Sequence, residues 1–169
     1  SPIFIDAKSG VSGAGKNPSD ITHYCQINDN VHAYNPFKHR HMPEIQEKIK
    51  ILKGKDLPIN FVPHLLPLTR GMLVSVFATL KDDINVNQVL NNSYKNCEFI
   101  RLRDKPVDVK SVAGTNFCDL FVAKNGKALF VSSAIDNLLR GASSQAVVNA
   151  NILCGYEEYE GIPKIAYVP

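Results

Sequence analysis

Apolar and polar residues alternate along several short segments of the chain, and this pattern predicts β-strands. The segments are 2–7, 59–65, 70–80 and 98–103. The segment 70–80 is rich in β-branched and apolar residues, so we expect a central strand there, buried from 73 to 77. Polar and apolar residues also interleave from 23 to 34, which indicates extended structure.

The dipeptide Asn125-Gly126 separates two apolar runs, 120–123 and 128–131. A type I′ turn needs a positive φ at both of its central residues, and Asn-Gly tolerates this requirement well. We therefore predict a β-hairpin whose turn is centred on these two residues.

Helical spacing of apolar residues predicts an amphipathic helix in the first third of the chain. Ile45, Ile49 and Leu52 recur on one face of this helix. Pro43 fits its first turn, and Gly54 can end it.

A second helix is predicted with Asn85 as its N-cap. Its apolar positions are Val86, Val89, Leu90 and Tyr94. The segment 135–154 predicts a third helix, which is rich in small residues. Strands combined with three helices and a hairpin predict an α+β fold with a mixed sheet.

Composition fits one globular domain, residues 1–169, because 44% of the residues are hydrophobic and 21% are charged. The net charge of +3 is spread along the chain, which argues against nucleic acid or a membrane surface as a partner. The longest apolar runs, such as 72–78, are too short to span a bilayer.

The four cysteines, Cys25, Cys97, Cys118 and Cys154, form neither a C-x-x-C pair nor a dense disulfide framework. We interpret them as reduced thiols of a cytoplasmic protein, and their spacing predicts no metal site. Residues 1–5 resemble a strand from the interior of a fold and not a targeting leader. This start predicts that the chain is a fragment of a longer one.

A loop of small residues, 10–16 (GVSGAGK), follows the first predicted strand. It matches the start of a Walker A loop, but Asn17 replaces the required Ser or Thr and Pro18 opposes an immediate helix. Glycines still allow backbone N–H groups to approach an anion, and Lys8 and Lys16 add positive charge. Taken alone, the loop fits either an anion site or a plain surface turn.

The triplet His39-Arg40-His41 stands directly before the first predicted helix. An imidazole that titrates near neutral pH can exchange protons, and a guanidinium can hold a carboxylate or phosphate through two hydrogen bonds. Charged residues before a helix are also commonly solvated caps, so the triplet alone fits either role. No third ligand accompanies the two imidazoles, and we predict no metal.

Four strings together resemble the family of N-acetyl-γ-glutamyl-phosphate reductases. They are 5–16 (IDAKSGVSGAGK), 39–45 (HRHMPEI), 61–71 (FVPHLLPLTRG) and 136–146 (DNLLRGASSQA). Each string is weak alone, but their order and spacing span almost the whole chain and make the match specific.

This resemblance implies an NADPH-dependent enzyme of arginine biosynthesis, which reduces the acyl phosphate N-acetyl-γ-glutamyl phosphate to N-acetylglutamate semialdehyde and releases phosphate. Members carry an N-terminal Rossmann domain that binds most of the NADP, then a catalytic cysteine, then a catalytic and dimerisation domain. The last domain, to which this chain corresponds, has a largely antiparallel mixed sheet with helices on one face, like the C-terminal domain of glyceraldehyde-3-phosphate dehydrogenase.

The resemblance also implies a cytoplasmic homo-oligomer, a dimer or tetramer, that pairs through the sheet. None of the four cysteines has the neighbours of the catalytic cysteine, so none takes its role. We therefore expect this chain alone to be inactive.

The family's acid/base residue falls within the triplet, and we assign it to His41 first and His39 second. The residues implied to hold the phosphate or carboxylate of the substrate are Ser9, Ser12, Gly13, Lys16 and Arg40. The family more often has arginine where Lys16 stands, and lysine lacks arginine's paired donors. Gln145 is implied to reach toward the nicotinamide.

Two other functions remain open at this stage. Aspartate-semialdehyde dehydrogenases share the Ser-Gly-Ala-Gly and Asp-Asn-Leu strings, although the run 39–44 fits them poorly. The other alternative is a free-standing dimerisation or anion-binding module without catalysis.

Overall fold

The computed structural model describes residues 1–166, which form a seven-stranded mixed sheet with helices. The strands are β1 (Ile3–Gly10), β2 (His32–Ala33), β3 (Ile59–Leu66), β4 (Met72–Thr79), β5 (Ile100–Leu102), β6 (Cys118–Asn125) and β7 (Ala128–Ile135). The α-helices are α1 (Tyr24–Ile27), α2 (Met42–Lys53), α3 (Val86–Tyr94) and α4 (Ser144–Cys154). Two 3₁₀ turns occupy Val11–Ala14 and Asp20–Thr22, and a π-helical turn occupies Leu139–Ser143.

The strands are ordered β2-β3-β1-β4-β7-β6-β5, so β4 lies in the middle of the sheet, as its sequence predicts. β1 pairs with β3, and β5 with β6, in parallel. The other four pairings are antiparallel. The predicted α+β class with a mixed, largely antiparallel sheet is therefore confirmed.

The helices α2 and α3 have the local signals that their sequences predict. Pro43 lies in the first turn of α2, and Gly54 follows the helix in the left-handed conformation with φ 66°. The Asn85 side chain accepts a hydrogen bond from the Gln88 N–H at 3.1 Å and so caps α3. The four strands predicted from alternation also form, with slightly different ends.

β6 and β7 form the predicted hairpin, but its turn lies one residue later than expected. Asn125 is the last residue of β6 and pairs with Ala128, which leaves Gly126 and Lys127 as the loop. Of these two loop residues only Gly126 has a positive φ, 55°. The predicted type I′ turn is therefore wrong, because it requires two.

The prediction of extended structure across 23–34 is wrong for most of that segment. Helix α1 occupies its first part, and β2 is only two residues long. The His23 side chain accepts the Cys25 N–H at 3.4 Å, and Ile27 is buried. A local cap and one buried side chain are enough to favour a helical turn over the alternating pattern.

The third predicted helix, 135–154, begins later than expected. Ile135 still belongs to β7 and pairs within the sheet. The Asp136 carboxylate Oδ1 then accepts the backbone N–H groups of Leu138 and Leu139 at 2.8 and 2.9 Å. The carboxylate thus caps the π-helical turn that leads into α4.

Side chains of each strand point alternately to the two faces of the sheet. One face, which we call the pocket face, carries Ala7, Ser9, Phe61 and Leu65. The opposite face, which we call the open face, carries Phe4, Asp6, Lys8 and Phe77. Phe4 and Phe77 are each 48% exposed, whereas Ala7, Phe61 and Leu65 are buried. The expected burial of 73–77 in β4 is wrong, because Phe77 is exposed and the other four side chains are only half-buried.

At the β5 end of the sheet, the core contains Phe99, Val148 and Ile162, with Phe117 packed against them. Val148 brings α4 into this cluster. Within residues 1–166, no helix combines the length and apolar character needed to cross a membrane.

Candidate active site

A cleft of about 650 Å³ lies over the pocket face, where β1 and β3 end and β4 begins. The strands line it with Ala7, Ser9, Phe61, Pro63, Leu65 and Met72. The segment before α2 contributes Tyr34, Asn35, Lys38, His39, Arg40 and His41. Gly13, Ala14, Ile21, Asn137 and Gly141 complete the lining. The glycine loop and the histidine triplet, which the sequence separates, thus meet at one cleft.

The start of the glycine loop is held tightly by the connection between β3 and β4. The Gly10 N–H donates to Gly71 O at 2.9 Å, and the Val11 N–H donates to Leu68 O at 3.0 Å. A Cβ on Gly10 would lie 2.6 Å from Leu68 O. Glycine is required at this position because the two backbones approach so closely.

The loop residues expected to bind substrate have different positions. Ser9 and Gly13 line the cleft, whereas Ser12 is half-buried beside it. A Cβ on Gly13 would lie 3.1 Å from Ser9 Oγ, so these two residues are immediate neighbours. Lys16 is exposed and does not line the cleft.

Lys8 does not supply charge to the glycine loop as expected. Its Nζ pairs with the Asp6 carboxylate on the open face. The other carboxylate oxygen of Asp6 lies 3.0 Å from Nδ1 of His64. The expectation is wrong because adjacent residues of a strand point to opposite faces, and Ser9 points into the cleft.

Buried Asp136 and its neighbour Asn137 join the loops around the cleft. The Asp136 carboxylate, 0% exposed, accepts the Gly114 N–H at 2.7 Å and Arg70 Nη1 at 3.0 Å, besides its two cap bonds. Burial raises the pKa of Asp136, but these four hydrogen bonds outweigh it and hold the pKa below the ordinary value of 3.8. The Asn137 side chain accepts a hydrogen bond from the Gly71 N–H and donates one to Ser12 Oγ.

The segment between β2 and α2 is held in an unusual backbone conformation. Asn35 and Phe37 have positive φ values of 44° and 60°, which is uncommon for residues other than glycine. The Tyr34 N–H donates to Pro63 O, and the Phe37 N–H donates to Phe61 O, both at 3.0 Å. These bonds to β3 fix the segment and bring the triplet to the cleft.

The two imidazoles of the triplet differ in their surroundings. His39 is half-buried, with its ring centroid 5.4 Å from that of Phe61 and 4.8 Å from that of His41. Burial, then His41 and Arg40, lower the pKa of His39 below its ordinary value of 6.5, so it is neutral at neutral pH. His41 is exposed at the N-terminus of α2.

His39 also fixes the backbone of His41. Nδ1 of His39 accepts the backbone N–H of His41 at 3.3 Å. A neutral imidazole that accepts at Nδ1 carries its proton on Nε2. His39 is therefore a neutral support for its neighbour, and the exposed ring of His41 is left free in the cleft.

Tyr34 is a cleft residue that sequence reasoning does not single out. Its ring centroid lies 5.4 Å from that of His39. Burial raises the pKa of Tyr34 above its ordinary value of 10.0, against the opposing effect of Arg40. The phenol is therefore protonated at neutral pH and can donate a hydrogen bond.

Gln145, expected near the nicotinamide, lies in the first turn of α4 and does not line the cleft. It follows Gly141, which does line the cleft, by one helical turn. Its Nε2 donates to Asn149 Oδ1 at 3.0 Å. Its Oε1 accepts no hydrogen bond from the described residues.

No thiol lines the cleft, although all four cysteines are free. Burial raises the pKa of Cys118 above its ordinary value of 9.0, which makes this thiol a poor nucleophile. Residues 1–166 contain no cluster of three or more metal-ligating side chains.

Asn137 lies within the string 136–146, whereas Tyr34 lies five residues before the string 39–45. Their roles depend on contacts with residues far away in the chain, so no local pattern reveals them. The one available signal is the place of Asn137 in its string.

Comparison with known proteins identifies close relatives. An N-acetyl-gamma-glutamyl-phosphate reductase of Sulfurovum sp. (strain NBC37-1) is 64% identical over 168 residues, which are 99% of this chain and 50% of the relative. The reductase of Wolinella succinogenes is 56% identical over 169 residues, 100% of this chain and 50% of the relative. The predicted resemblance is thus confirmed in sequence, and the chain spans about half the length of these curated relatives.

The fold is also found in a solved structure. Aspartate semialdehyde dehydrogenase II of Vibrio cholerae, solved in complex with ASA, matches with a TM-score of 0.73 at 21% identity. The match covers 91% of this chain and 55% of that one. A family profile described as "Semialdehyde dehydrogenase, dimerisation domain" matches residues 1–137. This chain therefore belongs to the family of semialdehyde dehydrogenase dimerisation domains.

Proposed function

We propose that this chain is the catalytic and dimerisation part of a cytoplasmic, NADPH-dependent N-acetyl-γ-glutamyl-phosphate reductase of arginine biosynthesis. The observation that carries the proposal is the meeting of the glycine loop and the histidine triplet at one cleft. The names of relatives up to 64% identical support the choice of reaction.

The substrate carries a phosphate and a carboxylate, and one part of the cleft suits such anions. Arg40 and Lys38 line it with positive charge, and Ser9 and Gly13 line it from the glycine loop. A guanidinium binds phosphate or carboxylate through two parallel hydrogen bonds. We assign Arg40, Ser9 and Gly13 to direct contact with the substrate, Lys16 as a further loop candidate, and Ser12 to support of the loop from beside the cleft.

The acid/base group is His41, with His39 as the second candidate. Reduction of the acyl group to an aldehyde places charge on the carbonyl oxygen, and an imidazole within reach can donate a proton to it or remove one. His41 is the exposed imidazole of the cleft, whereas His39 is held neutral and packed against Phe61.

The nucleophile of the proposed reaction is a thiolate that attacks the acyl carbon, forms a thioester and displaces phosphate. The cleft lining contains no cysteine, and the curated relatives are about twice as long as this chain. We therefore assign the thiolate and most of the NADP site to the rest of a longer protein. NADPH supplies the hydride when bound, and Gln145 would hold its nicotinamide.

The proposed partner is a second copy of the chain, bound at the open face of the sheet. Phe77 and Phe130 lie there with ring centroids 5.3 Å apart, and Phe4 pairs with Phe77 across β1 and β4. Half-exposed aromatic side chains on a sheet face are typical of an interface. The family's description as a dimerisation domain supports this assignment.

The reverse reaction tests the proposal in the full-length protein that contains this chain. Phosphate-dependent reduction of NADP should occur with N-acetylglutamate semialdehyde and be much slower with aspartate semialdehyde. Preference for aspartate semialdehyde would favour the sibling dehydrogenase. Absence of oxidation with both compounds, combined with self-association, would favour a module without catalysis.

A further inference from the structure

Asn137 lies where segments around the cleft meet, and both polar ends of its side chain are hydrogen bonded. Its Oδ1 accepts the Gly71 N–H at 2.7 Å, and its Nδ2 donates to Ser12 Oγ at 2.9 Å. Gly71 directly precedes β4, and Ser12 belongs to the 3₁₀ turn after β1. One planar amide therefore joins the two loops.

The orientation of this amide follows from its partners. A backbone N–H can only donate, so the atom that faces Gly71 is the oxygen, and the nitrogen faces Ser12. The neighbouring Asp136 is 0% exposed and accepts four hydrogen bonds, which fixes the backbone that carries Asn137. The bond to Ser12 is therefore made by a rigidly held group.

Ser12 does not line the cleft, but the next residue does. A Cβ on Gly13 would lie 3.1 Å from Ser9 Oγ and 3.4 Å from Asn137 Nδ2, so these groups form one compact patch. Ser12 carries the one polar side chain of the turn Val11–Ala14. Its bond to Asn137 is thus the one side-chain hydrogen bond that this turn makes with the described residues.

We propose that Asn137 is a positioning residue that acts through Ser12 to hold the glycine loop in its anion-binding shape. The inference rests on the proposed function, in which Ser9 and Gly13 of this loop face the substrate phosphate. Ser12 then serves as the intermediary, and its hydroxyl contributes to binding without touching the phosphate.

The first test measures hydrogen exchange of loop amides by NMR in the full-length protein without ligand. Ser12→Thr and Ser12→Val are nearly identical in shape and differ in the hydroxyl. We expect exchange at Gly15, whose N–H donates to Ser12 O at 3.2 Å, to be about tenfold faster in S12V than in S12T. Amides of β7 serve as the internal control and should be unchanged.

The second test measures binding of inorganic phosphate to the same proteins by calorimetry. S12T should bind like the unmodified protein, and S12V about tenfold more weakly. Asn137→Ala should weaken binding at least as much, because it also removes the acceptor of the Gly71 N–H. S12V combined with N137A should bind no more weakly than N137A alone, because the Asn137–Ser12 bond is already lost in N137A. Ser93→Val, an exposed site on α3, is the matched control and should bind normally.

The possible outcomes separate this inference from the alternatives. Equal exchange in S12T and S12V, together with weaker phosphate binding in S12V, would place Ser12 in direct contact with the ion and overturn the proposal. Faster exchange with unchanged phosphate binding would make the bond purely structural and also overturn it, as would an unmodified protein that binds no phosphate. Neither test needs catalysis, so an absence of reductase activity would contradict the proposed function alone.

Discussion

The Arg70 guanidinium donates from Nη1 to Oδ2 of Asp136 at 3.0 Å, across 66 positions of sequence. Asp136 is 0% exposed and Arg70 has a side chain 26% exposed, so the pair is largely shielded from water. Asp136→Asn should lower the free energy of unfolding by about 3 kcal/mol, because it leaves Arg70 without its charge partner. Chemical denaturation of the two proteins measures this difference.

Asp104→Asn is the matched control for this change. Asp104 is exposed and makes no hydrogen bond with the described residues, so its substitution should alter stability by less than about 0.5 kcal/mol. Equal effects of the two substitutions would show that the Asp136 hydrogen bonds do not stabilise the fold.

The lowered pKa of Asp136 predicts a pH dependence of stability. The pKa of Asp136 in the folded state lies below the ordinary value of 3.8. Between these two pKa values, the folded state binds fewer protons than the unfolded state. The stabilisation is therefore present above pH 3.8 and is lost as the pH falls through the folded pKa. Unfolding free energies measured across this range should fall less steeply for D136N, and parallel curves would contradict the assignment.

The open face offers a test of self-association. Phe77→Asp should increase the dissociation constant of a dimer by at least about 100-fold, because it places a charge within an aromatic interface. Analytical ultracentrifugation measures this change. Ile51→Asp, on the exposed side of α2, is the control and should leave the dimer intact. A protein that is monomeric at high concentration without any substitution would refute the proposed pairing.

This chain by itself should have no reductase activity. Its cleft has no cysteine, and burial raises the pKa of Cys118. The purified chain should produce no NADPH from N-acetylglutamate semialdehyde, phosphate and NADP. Measurable turnover would mean that one of its four cysteines acts as the nucleophile.

Local sequence signals predict the regular elements well. Pro43 and Gly54 mark the ends of α2, and Asn85 caps α3, because such signals act within a few residues of the chain. They also place the glycine loop and the triplet, because each is one continuous string. The hairpin at Asn125 is predicted in kind, while its turn depends on the register of the paired strands.

Contacts between distant residues lie beyond such signals. Lys8 has the charge that an anion loop needs, but the direction of its side chain follows from the pleat of β1 and from Asp6. The roles of Asn137 and Tyr34 follow from partners in other segments. His41 is more exposed than His39, and this difference arises only because the segment between β2 and α2 is hydrogen bonded to β3.

The turnover of His41→Asn in the full-length protein tests whether this cleft performs the proposed acid/base chemistry of acyl-phosphate reduction. Turnover should fall by about 10² to 10⁴, with phosphate binding and thermal stability nearly unchanged. His39→Asn should reduce turnover less, and the opposite ranking would move the role to His39. Near-normal turnover per folded molecule in both variants would contradict the acid/base role of the cleft.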